Sequence, residues 1–191
     1  MISIQMPARA EPFVIPWPSP AGPVTLIRFD VADQWRAFIE RLELDERIPQ
    51  VVRAKYARAQ RLYVLGWIDA DLVKAGELAA LITLELAVKD RYGDQLPPRK
   101  RSFAALLKHM VEVDCLTDQQ IPMIARYGGT AVERVRGSTK PSLADLRNSM
   151  AHGDLFDALP VGGLLELVRD LVVFAYRHYL AEAPEVARNG S

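Results

Sequence analysis

The sequence predicts an all-α protein: a bundle of about six to seven helices, preceded by an extended, proline-rich N-terminal arm. Apolar residues recur at helical spacing through most of the chain beyond residue 31, and capping residues and glycines separate these stretches. The arm is set apart by six prolines between residues 7 and 23, which are too many for a helix or an inner strand.

The length and composition favour one domain. The chain has 191 residues, of which 50% are hydrophobic, enough for a single ordinary core. We therefore divide it into an N-terminal arm at 1–30, a helical domain at 31–183 and a flexible tail at 184–191.

Within the arm, Phe13, Ile15 and Trp17 alternate with other residues, so one side of the arm could lie against the domain or a neighbour. The stretch 24–29 could form one short strand. In the domain, periodic apolar residues and caps predict helices at roughly 32–44, 51–66, 70–92, 103–111, 122–128, 143–152 and 163–180.

Several function classes are disfavoured by composition. Cys115 is the only cysteine, so an intrachain disulfide is excluded, and no cysteine or histidine spacing indicates a metal. No apolar run approaches the ~20 residues of a membrane helix, and the first residues lack the apolar core of a signal peptide. We expect a cytoplasmic protein without cofactors or a membrane partner.

The stretch 143–153 carries the most informative residues. Ser142 is placed to cap a short helix, with Asp145 as its capping-box partner and Gly153 at the end. This helix contains Arg147 and His152. At about 100° per residue they lie roughly 140° apart, so one regular helix cannot aim both at one point unless its end unwinds, whereas two copies of the chain could.

The residues Leu146-Arg147-Asn148 and Ala151-His152-Gly153 resemble the signature of the HEPN superfamily (higher eukaryote and prokaryote nucleotide-binding domains), an Arg followed by a polar residue and then a His. The segment 79–93, with Glu85 and a terminal Tyr-Gly, is similar to an early helix of that family. The resemblance covers about residues 69–180.

The resemblance implies an all-helical, metal-independent endoribonuclease whose site forms where two motif copies meet in a homodimer. RNA is then the substrate, and a toxin–antitoxin or defence setting, with an antitoxin or another protein as partner, is implied with it. The catalytic residues carried over are Arg147, Asn148 and His152.

These side chains suit that chemistry. An imidazole such as that of His152 titrates near neutral pH and can move protons. The guanidinium of Arg147 can hold phosphate oxygens through two hydrogen bonds and stabilise added negative charge. Asn148 could bond to phosphate or fix His152.

Two acidic residues could support the site. Glu85 lies among apolar residues, where a lone carboxylate is costly, so it either pairs with an arginine or orients Arg147 or His152. Asp154 stands two residues after His152, where family members paired with a nucleotidyltransferase antitoxin often have Tyr. This departure disfavours regulation by tyrosine nucleotidylation, and the acid could orient His152 or repel RNA.

Basic residues near the motif are candidate RNA contacts, although solvated charges would look the same in the sequence. A second basic stretch lies at 53–61 and has the same two interpretations. The candidates near the motif are Arg99, Lys100, Arg101, Arg134, Arg136 and Lys140.

A non-catalytic interpretation fits the same sequence. Asp145, Arg147, Asn148 and His152 could form a polar network that holds helices or a dimer together. The chain would then be a HEPN-like module that binds a nucleotide, RNA or a protein and dimerises. Fold analogy does not decide between these functions.

Overall fold

The computed structural model describes residues 6–153 and 159–182, and most of them are helical. The described part contains a two-stranded antiparallel sheet and eight α-helices, which broadly confirms the all-α class. The elements are β1 (Phe13–Pro16), β2 (Leu26–Phe29), α1 (Ala32–Glu40), α2 (Gln50–Leu65), α3 (Asp71–Tyr92), α4 (Phe103–Glu112), α5 (Pro122–Tyr127), α6 (Val132–Arg136), α7 (Leu143–His152) and α8 (Leu164–Glu182).

The core is built around α3 and α8. Helix α3 packs against α2, α4, α7 and α8, and its buried residues recur along its whole length. Helix α8 is buried over most of its circumference between Leu164 and Tyr176. Two helices that are apolar on several sides must lie at the centre, with the others arranged around them.

Helices α2 and α3 approach each other closely at two glycines. A Cβ atom at Gly76 would lie 2.6 Å from Cδ2 of Tyr63, and one at Gly66 would lie 2.5 Å from Cγ2 of Val73. Such distances are far below van der Waals contact, so any larger residue would push the two helices apart.

The proline-rich segment is not the extended arm that the sequence predicts. It folds back as a hairpin in which Phe13 pairs with Phe29 and Pro16 pairs with Leu26. The alternating side chains Phe13, Ile15 and Trp17 are buried in the core. Their burial supplies the stabilisation that holds this segment in place. Pro16 ends β1, and Pro18, Pro20 and Pro23 lie in the connection to β2, where no ladder hydrogen bond is needed.

The hairpin is also tied to the helices by polar contacts. Nε1 of Trp17 donates to Glu166 at 2.9 Å. Arg9 donates to the carbonyl of Trp67 at 2.7 Å, and Nε1 of Trp67 donates to the carbonyl of Pro7 at 2.8 Å. The chain from Pro7 onward is therefore part of the domain.

Helix α3 carries a buried ion pair. Nζ of Lys74 lies 2.9 Å from Oε2 of Glu77, and the two side chains are only 3% and 0% exposed. Both also fix the segment before α8: Lys74 donates to the carbonyl of Leu159 at 3.1 Å, and Glu77 accepts a hydrogen bond from the amide of Val161. Burial raises the pKa of Glu77 to about 7, although Lys74 opposes this shift.

Helix α8 carries two buried carboxylates. Glu166 accepts hydrogen bonds from Trp17, Arg126 and Arg169. Asp170 accepts from Arg169 at 2.6 Å and from the amide of Met123 at 2.7 Å. These contacts attach the hairpin and α5 to α8.

No helix in the described ranges is long and apolar enough to cross a membrane. The tail predicted at 184–191 lies outside the described residues.

We expect Glu77→Ala to lower the free energy of unfolding by about 3–5 kcal/mol, because it leaves Lys74 charged and buried without its partner. Urea denaturation measures the loss. The double variant Lys74→Met/Glu77→Leu should be more stable than Glu77→Ala, since no charge is then left in the core. A Glu77→Ala protein as stable as the native one would contradict this account.

The pH dependence of stability offers a separate test. The folded-state pKa of Glu77, about 7, lies above the ordinary value of 4.5, so the folded protein binds the extra proton between these pH values. This residue should therefore stabilise the fold as pH falls from 7 towards 4.5. Denaturation midpoints across this window should rise less on acidification in Glu77→Gln than in the native protein, and parallel curves would refute the assignment.

Candidate functional site

Helix α7 has the caps that the sequence predicts. The hydroxyl of Ser142 accepts from the amide of Asp145 at 3.1 Å, and Asp145 accepts from the amide of Ser142 at 2.9 Å. Gly153 ends the helix with a φ of 87°. A reciprocal cap and a left-handed glycine fix both ends of this ten-residue helix. Hydrogen bonds from Lys140 and Ser142 hold the pKa of Asp145 well below its usual range.

An ion pair joins α7 to α3 at the motif. Nη2 of Arg147 lies 2.6 Å from Oε2 of Glu85, and Nη1 donates to Oδ1 of Asn148 at 3.0 Å. The Arg147 and Glu85 side chains are 31% and 28% exposed. The apolar surroundings of Glu85 predict that it pairs with an arginine. Its partner is Arg147, the arginine of the motif.

One edge of the guanidinium is buried and unbonded. Nε of Arg147 is out of contact with solvent and has no acceptor among the described residues. A buried donor without a partner costs about 1–3 kcal/mol, which reduces the cost of moving the guanidinium to a new acceptor. The Arg147 side chain is therefore held by two partners and left unsatisfied at a third position.

His152 is the last residue of α7 and is exposed to solvent. The helix stays regular up to this residue, so the angular separation of roughly 140° from Arg147 is retained. The side chain of His152 forms no hydrogen bond with Arg147 or with any other residue in the described part of the chain. Asp154, the second predicted supporting acid, lies outside the described residues.

The predicted basic contacts differ in exposure and in their partners. Arg99 and Lys100 are exposed in a short 3₁₀ turn, and Arg101 donates to the carbonyl of Leu96 at 2.9 Å. Arg134 is half-buried on α6. Two others are ion-paired with carboxylates: Arg136 with Glu112 at 3.0 Å and Lys140 with Asp145 at 2.6 Å.

A second polar cluster was not singled out by the sequence. Both terminal nitrogens of Arg177 donate to the carboxylate of Asp114 at 2.6 Å, and the hydroxyl of Tyr92 donates to the same carboxylate at 2.6 Å. Burial works to raise the pKa of Asp114, but these hydrogen bonds outweigh it and the pKa is lowered. The cluster ties together α3, α8 and the loop after α4. Nothing in residue spacing signals it, because its members are far apart in the chain.

Within residues 6–153 and 159–182, no group of three or more His, Cys, Asp or Glu side chains is placed to hold a metal ion.

We expect Glu85→Ala and Arg147→Ala each to lower the free energy of unfolding by no more than about 1 kcal/mol, because an ion pair that water reaches contributes little. Asp170→Ala is the matched control, since it removes a carboxylate that is almost fully buried and should cost about 3–5 kcal/mol. Urea denaturation compares the three variants. If the site variants are as destabilised as the control, the Arg147–Glu85 pair is a structural support.

The sequence matches no model of a known protein family, no curated protein and no solved structure at a significant level.

Proposed function

We propose that the protein is a metal-independent endoribonuclease of HEPN type, acting through Arg147 and His152 at a composite site between two copies of the chain. The observation that carries the proposal is the arrangement on α7. An arginine held by Glu85 and Asn148 is partly open to solvent, and five residues later stands an exposed histidine without a partner in the described ranges.

The proposed reaction is attack of an RNA 2′-hydroxyl on the adjacent phosphorus. The new 2′-oxygen–phosphorus bond forms as the bond from phosphorus to the 5′-oxygen breaks, and the departing oxygen takes a proton. The products carry a 2′,3′-cyclic phosphate and a 5′-hydroxyl. DNA lacks the nucleophile, so only RNA is cut.

Each residue has a separate role in this reaction. His152 accepts the proton from the 2′-hydroxyl or delivers one to the leaving oxygen, a contribution of about 10²- to 10⁴-fold. Arg147 stabilises the extra negative charge on phosphate, and its unbonded Nε supplies a further donor once the side chain reorients. Asn148 and Glu85 hold the guanidinium in position.

The helix geometry supports a site shared between two copies. One regular α7 directs Arg147 and His152 to different sides, so in this proposal the arginine of one copy acts with the histidine of another. The biological setting that goes with this proposal is a toxin–antitoxin or defence system with a protein partner.

A second candidate follows from the ion pair itself. Glu85 already neutralises Arg147, as expected of a residue that holds helices together. In that case the chain is a non-catalytic HEPN-like dimerisation module that binds a nucleotide, RNA or a protein.

The test is incubation of the purified protein with structured and single-stranded RNA in the presence of EDTA. Arg147→Ala and His152→Ala should each lower cleavage by about 10²-fold or more. The controls Arg28→Ala and His178→Ala remove an exposed arginine and an exposed histidine elsewhere and should cleave like the native protein. Product ends are identified by mass spectrometry.

Oligomeric state and folding are measured on the same samples. No cleavage by the native protein, together with loss of the dimer in Arg147→Ala, would favour the dimerisation module. Cleavage that is equal in all variants would indicate a contaminating nuclease and remove the assignment.

A further inference from the structure

We infer that one side of α2 is a contact surface for the sugar-phosphate backbone of RNA, separate from the α7 site. This surface consists of Lys55, Arg58 and Arg61 and is called the basic face of α2. The choice of RNA as the polyanion rests on the proposed function, whereas the charge pattern itself does not.

The first observation is the composition of α2. The helix has four basic residues and no acidic residue in 16 positions. Arg53 is excluded from the face, because it donates to the carbonyl of Ile48 and lies close enough to Asp45 to help lower that residue's pKa. The other three residues form no ion pair with any carboxylate in the described part of the chain.

The second observation is the contrast with other surfaces. Several exposed or half-exposed cations elsewhere lie beside carboxylates, as in Arg28–Asp30, Lys108–Glu112 and Arg136–Glu112. The chain has as many acidic as basic residues, 24 of each, so acids are not scarce. Their absence from α2 itself is a local feature.

Helix stability does not explain these charges. Lys55 and Arg58, and again Arg58 and Arg61, are like charges three residues apart, which destabilises a helix by about 0.2–0.5 kcal/mol per pair. Cations interact favourably with the last turn of a helix, but the last turn of α2 has none. A locally unfavourable arrangement of this kind is typical of a binding surface.

The geometry fits a phosphate backbone. Lys55 and Arg61 are six residues apart, a rise of about 9 Å along the helix. In a B-form duplex, one strand presents a phosphate about every 3.4 Å of the helix axis, so this length is of the order of a few phosphates. Arg58 and Arg61 are exposed and Lys55 is half-buried, and none of the three is among the residues that α2 buries, which are Val52, Tyr56, Ala59 and Tyr63.

A membrane surface fits less well. A helix that lies in a membrane interface inserts its apolar face, and the apolar face of α2 is already buried in the core. Acidic proteins remain as competitors for a basic surface, and they form one arm of the test.

The experiment measures binding of a labelled, unstructured oligoribonucleotide in which every 2′-hydroxyl is methylated, so that it cannot be cleaved. Fluorescence anisotropy is recorded over a range of salt concentrations for three proteins. These are the native chain, the triple variant Lys55→Gln/Arg58→Gln/Arg61→Gln, and the control Arg28→Gln/Arg36→Gln/Lys108→Gln. The control removes the same charge from three cations that lie near carboxylates.

We expect the triple variant to bind more weakly and to make the slope of log affinity against log salt shallower by about two, since each phosphate contact on a single strand contributes about 0.7. The control should retain a slope close to that of the native chain. Circular dichroism checks that all three proteins are folded.

Equal losses in the triple variant and the control, or no oligonucleotide binding by the native chain, would overturn the inference. Binding of polyglutamate or of phosphatidylglycerol vesicles in place of RNA would also overturn it and assign the face to an acidic protein or a lipid surface. Slope changes confined to the triple variant, with no cleavage of ordinary RNA, would support the basic face of α2 and refute the ribonuclease proposal. Cleavage of ordinary RNA without such slope changes would support the ribonuclease and refute the basic face as an RNA contact.

Discussion

The fold depends on the pairing of charges that its two central helices bury. Helices α3 and α8 are mostly apolar, yet they carry Lys74, Glu77, Glu166 and Asp170 at almost no exposure. A charge in such a position must be hydrogen-bonded, and each of these recruits partners from another part of the chain. The hairpin, α5 and the segment before α8 are thereby fixed to the core by contacts that apolar packing alone does not specify.

The α7 site follows a different rule. Its ion pair is half-exposed, so it contributes little to stability and can exchange partners at low cost. Helix α7 itself is held at both ends by caps and inside by Leu143, Leu146 and Met150. The helix that carries the site is therefore rigid, while the Arg147 and Glu85 side chains can change partners at low cost.

Local signals in the sequence predicted the helices well, because caps, glycines and apolar spacing act within a few residues. The ends of α7 and the pairing of Glu85 with an arginine are examples. The extended arm predicted from the prolines was wrong. The contact of Trp17 with Glu166, which helps to hold the hairpin on the core, joins residues that are far apart in the sequence and leaves no local signal. The Arg177–Asp114 pair was missed for the same reason. The predicted dimer stays a prediction, because the geometry of a single chain does not place a second copy.

The close packing of α2 on α3 at Gly66 and Gly76 fixes the separation between the basic face of α2 and the α7 site. Helix α3 carries Glu85, which holds Arg147, and α2 carries the basic face, so two glycine contacts join both surfaces into one rigid unit. The separation between these two surfaces is therefore fixed by the packing of α2 on α3. Under the proposed function, an RNA that contacts both surfaces must be long enough to span this fixed separation.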